Sequence, residues 1–178
     1  MYGSIGSVLN YDVSPNLETG DSFTGSLARN PGENIGDYSI VQGSLDAGLN
    51  YSILFSSGVN YTISPKEISI TPNPGQSKVF GSVDPVFTYT TAPLLESGDN
   101  FIGQLDRTSG ENTGNYAIGL GTLTAGTNYT IVFNAGVDFS ITSKEINITP
   151  RLSQSKIYGA LNPILTFDNV PLLESGDV

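Results

Sequence analysis

The sequence predicts a mainly β protein built from tandem copies of one small unit, and three observations carry that reading. The phrase PLLESGD at residues 93–99 returns at 171–177, an offset of 78, and the chain falls into register with itself at that offset without a gap. Residues 1–77 match residues 79–155 at 38 positions, and residues 156–178 match 78–100 at 11 of 23. Self-similarity at a fixed period is the mark of a repeat architecture and takes precedence over any local feature. Within each copy, apolar residues alternate with polar ones at period two in short runs, and no run has a 3.6-residue period.

The runs follow one another in a fixed order. KEINIT alternates Ile146 and Ile148, VFTYTT alternates Phe87 and Tyr89, FIGQL offers Phe101 and Leu105, and NYAI offers Tyr116 and Ile118. Tyr129, Ile131 and Phe133 then share one strand face, as do Val137, Phe139 and Ile141. The first copy has Tyr51, Ile53 and Phe55, then Val59, Tyr61 and Ile63. The loops NAGVD and SSGVN between these last two runs predict a hairpin in each copy. About six short strands per unit are expected, separated by Gly, Pro, Asn and Asp clusters that mark turns. APLLESGD, broken by Gly98, supplies at most one helical turn.

These boundaries divide the chain into repeat one at 1–64 without its first strand, a complete repeat two at 65–142, and the truncated start of repeat three at 143–178. The chain is therefore expected to be a window on a longer array, with Met1 as an expression start. A unit of this size buries only about 60% of its unfolded surface, so each copy is expected to have a thin core. SPKEISITP and TSKEINITP join consecutive copies with almost no slack, and Pro65 and Pro72 stiffen the first of these joins. The expectation is a semi-rigid rod of beads in which each contacts mainly its neighbours. The cut ends further suggest head-to-tail association, in which residues 143–178 complete another molecule's first copy by strand addition.

Composition narrows the function. A net charge of −10, with only seven Lys and Arg scattered along the chain, argues against a nucleic-acid partner. The absence of cysteine rules out a disulfide framework or a Cys-based zinc site. No stretch approaches the roughly 20 apolar residues of a membrane-spanning helix, and any export signal or anchor is expected to lie outside this window. With no histidine and no cysteine, catalysis would need a carboxylate pair such as Glu96 with Asp99, Glu18 with Asp21, or Glu174 with Asp177. A pair reproduced in every bead reads instead as turn chemistry, the Asp accepting local backbone N–H bonds beside Gly. Calcium arrays use denser spacing of the DxDxD kind, which is absent.

Arg29 with Glu33, and Arg107 with Glu111, are expected to clasp the Gly-containing turn between them. Tyr38, Tyr51, Tyr116 and Tyr129 read as core anchors whose hydroxyls reach the surface rather than as sugar-stacking platforms. Asn128 and Asn147 match the N-glycosylation pattern but are set aside. No residue is nominated as catalytic, cofactor-binding or metal-binding, no cofactor is expected, and ligand-binding residues are left unassigned.

QSKVFGSVDPVFTYT, SGDNFIGQLDRTSGENTGNYAIGLGTLTAGTNYTIVF and FSITSKEINITP together resemble the MBG domain of the YGX type. This is a mucin-binding-like β-grasp module found in tandem in very large bacterial surface proteins. The ordered series K-(V/I)-(F/Y)-G, G-D-x-F, G-E-N-x-G-x-Y-x-I, G-x-L and N-Y-(T/S)-I is what makes the resemblance specific, and it covers essentially the whole chain. Its style is similar to copies in Bacteroidota adhesins, including those of flavobacterial gliding motility. The resemblance implies β-grasp-like domains, an extracellular position on a bacterial surface, type IX export and no catalytic residues. Alternation alone equally permits immunoglobulin-like β-sandwich repeats. For function, the resemblance and the residues together favour a structural stalk or filament segment of an adhesin. The competing reading is a glycan- or mucin-binding module acting by avidity across repeats.

Overall fold

The structure, a computed structural model, describes residues 1–174 and 176. Among these residues there is no helix, and PLLE at 93–96 is irregular rather than a helical turn. Among the described residues twelve strands follow one another: β1 (Ala28–Arg29), β2 (Gly36–Val41), β3 (Asn60–Ile63) and β4 (Lys66–Pro72) come first. Next are β5 (Ser77–Val79), β6 (Tyr89–Ala92), β7 (Asp106–Arg107) and β8 (Gly114–Gly119). The last four are β9 (Tyr129–Phe133), β10 (Asp138–Thr142), β11 (Asn147–Pro150) and β12 (Phe167–Val170). Residues 65–142 thus hold seven strands, β4 to β10, where alternation predicted about six.

These elements gather into two compact units, and residues 65–142 contribute to both. The first unit comprises residues 1–71, 89–104 and 122–134. It holds the antiparallel sheet β1-β2-β3 and a second sheet in the order β6-β4-β9. β4 runs parallel to β9, with Ile68 opposite Ile131 and Ile70 opposite Phe133. Alternation in β4 is strict, and it buries Ile68 and Ile70 completely, with Ile63, Leu123 and Tyr129 also buried in this unit. Period-two burial of β-branched side chains is what fixes such a strand's register.

The second unit comprises residues 72–88, 105–121 and 135–178. Its main sheet has the order β5-β10-β8-β7, with β10 parallel to β5 and antiparallel to β8. Phe139 of β10 is fully buried, and the Phe87 ring meets it edge to face at 5.2 Å between centroids. Leu105, Ile118 and Ile141 complete the apolar interior. The remaining pair, β11 and β12, is antiparallel, with every residue of β11 exposed.

The expected hairpin across NAGVD does not form. β9 and β10 flank that loop, yet β9 pairs with β4 while β10 pairs with β8 and β5. Alternation reports which side chains share a face; it does not report the partner, and here the loop carries the chain from one sheet to another. The first-copy run Tyr51–Phe55 is not a strand either, although its alternate residues Tyr51, Ile53 and Phe55 are half-buried. Its counterpart β9 is a strand held by its parallel pairing with β4. FIGQL contributes a single antiparallel bridge, Ile102 with Thr124, which the first copy repeats as Thr24 with Asp46.

Candidate functional site: two recurrent polar clusters

The first cluster is built around Arg107 on β7. Its guanidinium donates to both carboxylate oxygens of Asp84, from Nε at 2.6 Å and from Nη2 at 3.1 Å. Nη2 also reaches Glu111 at 2.6 Å, and Nη1 donates to the carbonyls of Gly110 and Thr108. The cation lies over the Tyr116 ring at 4.9 Å and over the Phe139 ring at 5.4 Å. Lys78 of β5 enters from the other side and pairs with both Asp84 and Glu111. Its side chain is only 5% exposed, a depth at which an ammonium is tolerated only because two carboxylates meet it.

Electrostatics follow the geometry. The Arg107 guanidinium, then Lys78, hold the Asp84 carboxyl below its ordinary range against the opposing effect of burial. Lys78 first and Arg107 second do the same for Glu111. The bonds that Lys78 donates to Asp84 and Glu111 raise Lys78 in turn. The Gly-containing turn fits this clasp: Gly110 sits at φ +142°, and a Cβ there would overlap the Tyr116 ring.

The first copy reproduces the arrangement in part. Arg29 donates to Glu33 at 2.7 Å and to the Gly32 carbonyl, and it lies over the Tyr38 and Tyr61 rings at 4.9 and 5.3 Å. Gly6 stands where the second copy has Asp84, and the third copy has Asn162 there. The clasp expected from Arg and Glu is therefore present twice. Lys78 and Asp84, which complete it, were missed: they come from segments some two dozen or more residues upstream of their partners, and only the motif letter of Lys78 hinted at them.

The second cluster contains Glu96 and Asp99. The Tyr129 hydroxyl donates to Asp99 Oδ2 at 2.5 Å and accepts from the Glu96 backbone N–H at 2.8 Å. Tyr2 also donates to Asp99 Oδ2, at 2.8 Å. The Glu96 side chain turns away from Asp99 to pair with Lys66. The two tyrosine hydroxyls, Tyr129 first, hold Asp99 below the ordinary carboxylate range. Desolvation and the bond to Asp99 push Tyr129 up to about 12. Both carboxylates of the nominated pair are thus engaged with fixed partners, and the backbone bond Asp99 N–H to Glu96 carbonyl closes the turn between them at 3.1 Å.

In the first copy, Tyr51 spans the same turn, donating to Asp21 at 2.6 Å and accepting from the Glu18 N–H. In the third copy Glu174 pairs with Lys144, while Asp177 lies outside the described residues. Tyr38 and Tyr116 donate to the carbonyls of Asn34 and Asn112, at 2.8 and 2.7 Å. All four tyrosines named from the sequence are therefore anchored through their hydroxyls. Asn128 bonds to Asn34 and to the Ile35 N–H.

A recurrent feature that sequence reading missed is apolar. Ile5, Val83 and Leu161 occupy matching positions in the three copies and are 99%, 89% and 94% exposed. Among the described residues no cluster of three or more His, Cys, Asp or Glu is arranged to hold a metal.

Fold and clusters together define a class: a mainly β tandem-repeat protein whose recurrent ionisable groups are tied to one another and to turns. The chain belongs to the MBG domain family of the YGX type, whose family description matches residues 1–62 and again 68–140. Its modules are β-grasp-like rather than immunoglobulin-like. No curated protein and no solved structure matches the chain.

Proposed function

We propose that the chain is a structural segment of a long bacterial cell-surface adhesin, with repeats at 1–64, 65–142 and 143–178 linked in series to give reach and mechanical continuity. The observation that carries this reading is how residues 65–142 are tied at both ends. The entry strands β4 and β5 pair in parallel with the exit strands β9 and β10. Tension applied along the chain between entry and exit loads parallel neighbours in shear. Their inter-strand hydrogen bonds then share the load instead of opening one after another as in an unzipped hairpin. Such a connection suits a load-bearing array in which each unit contacts mainly its neighbours.

Roles in adhesion or gliding motility, type IX export and an extracellular position follow from the resemblance to Bacteroidota surface proteins and belong to the same proposal. A non-enzymatic role fits the engagement of Glu96 and Asp99 with Lys66, Tyr2 and Tyr129. The test is binding of this chain, and of an array twice as long, to a panel of mucins and glycans. Silence from both is the expected result. Signal that strengthens steeply with repeat number would overturn the stalk and establish a ligand-binding module acting by avidity.

A further inference from the structure

The aromatic–glycine step of the K-(V/I)-(F/Y)-G motif occurs as Tyr2-Gly3, Phe80-Gly81 and Tyr158-Gly159. Gly3 lies against the Glu96 carboxylate so closely that a Cβ would overlap it, and Gly81 lies in the same way against Glu174. Each glutamate is 93 positions beyond its glycine, which places it in the following repeat. Each is also held by that repeat's own lysine, Lys66 for Glu96 and Lys144 for Glu174. Gly159 supplies a control inside the same chain: open space stands before it, and Tyr158 is 103% exposed.

The aromatic residue joins the contact as well. Tyr2 packs edge to face on Tyr129 at 5.3 Å and donates its hydroxyl to Asp99. At the next boundary the corresponding residue is Phe80, which has no hydroxyl and lines an apolar cleft with Ile146, Leu172 and Leu173, beside Lys144 and Glu174.

We infer that this step is the joint of the array: the aromatic–glycine lip of one repeat seats on the lysine–glutamate pair of the next, and Tyr158-Gly159 is the same lip with open space before it. Glycine is required twice over at each joint. Gly3 and Gly81 have φ of +71° and +83°, where side chains are strained, and the glutamate fills the space a side chain would take. The joint also comes in two chemistries. One is hydrogen-bonded through Tyr2 and Asp99, and the other is apolar around Phe80. This goes beyond the stalk reading, because the joint stands or falls whether or not the array binds a ligand.

The test uses backbone amide spectra of the full chain carrying Glu96→Gln, Glu174→Gln or Tyr2→Phe. The expected result is that E96Q shifts the Gly3 amide and E174Q shifts the Gly81 amide, in each case far along the chain from the substitution. Y2F is expected to raise the titration midpoint of the Asp99 carboxyl. Gly3 and Gly81 amides that stay in place, with shifts confined to the neighbours of the substituted glutamate, would overturn the inference. Movement of only one of the two glycines would overturn the claim that the joint repeats. An Asp99 midpoint unchanged in Y2F would remove the tyrosine from it.

Discussion

Ile70 and Ile148 occupy the same position of the repeat, one in KEISITP and the other in KEINITP, yet their surroundings differ sharply. Ile70 sits at 0% exposure in the middle of the β6-β4-β9 sheet, opposite Phe133. Ile148 sits in the two-stranded β11-β12 ribbon at 55% exposure, opposite Asn169. Replacing Ile by Ala removes three carbons, each worth about 0.8 kcal/mol when fully buried. At Ile70 the transfer loss is therefore about 2.5 kcal/mol, and the cavity left in a sheet pinned on both sides raises the cost to about 3–4 kcal/mol. At Ile148 more than half the side chain is already in water and the ribbon can close over the gap, so the cost is about 1 kcal/mol or less. Urea titration followed by residue-specific amide signals reads each compact unit through its own probes. The expected outcome is a large fall in midpoint for signals of residues 1–71 in I70A and a small fall for signals of residues 135–174 in I148A. Equal losses, or a larger loss for I148A, would refute the assignment of β4 as the buried central strand.

Further predictions concern the polar clusters. The depressed carboxyls of Asp84 and Glu111 contribute stability that is fully present above their ordinary values of 3.8 and 4.5 and is lost as pH falls through their lowered ones. Acid titration should therefore destabilise the β5-β10-β8-β7 unit below about pH 4, and D84N should flatten that profile while lowering stability at neutral pH. Tyr129 titrates in the opposite sense: raised from 10.0 to about 12, it contributes stability that holds below pH 10 and disappears between pH 10 and about 12. Ultraviolet titration of tyrosinate should show a late step that Y129F removes. Gln76 accepts from the Thr88 N–H at 2.7 Å and donates to the Asn73 and Thr88 carbonyls, and Gln154 repeats this with Thr166 and Arg151. Q76A should cost about 1 kcal/mol in thermal or urea unfolding, since water reaches the exposed backbone groups it leaves.

Much of the architecture was legible in the letters. The offset between copies, the β character and the strand faces at Tyr129–Phe133 and Phe139–Ile141 all rest on local pattern, which burial of Tyr129, Phe139 and Ile141 reproduces. Pairing was not legible, because the hydrogen bonds that join β4 to β9 and β5 to β10 connect segments some 60 residues apart and leave no local signature. The hairpin expected at NAGVD failed for this reason, and so did the strand expected at Tyr51–Phe55, whose pattern is intact but which pairs with no strand among the described residues. The Arg–Glu clasp could be read because its members lie four apart on one turn. Its completion by Asp84 could not, since neither Gly6 nor Asn162 keeps a carboxylate at that position. The joint glycines were visible only as motif letters until Glu96 and Glu174 were found against them.

The central claim is that the array carries tension, and pulling single molecules by their two ends tests it most directly. The account predicts discrete rupture events, because β4 with β9 and β5 with β10 must be sheared before residues 65–142 can lengthen, and it predicts that I70A lowers the rupture force. Smooth extension at low force with no rupture, or an I70A chain that resists as well as the parent, would contradict it.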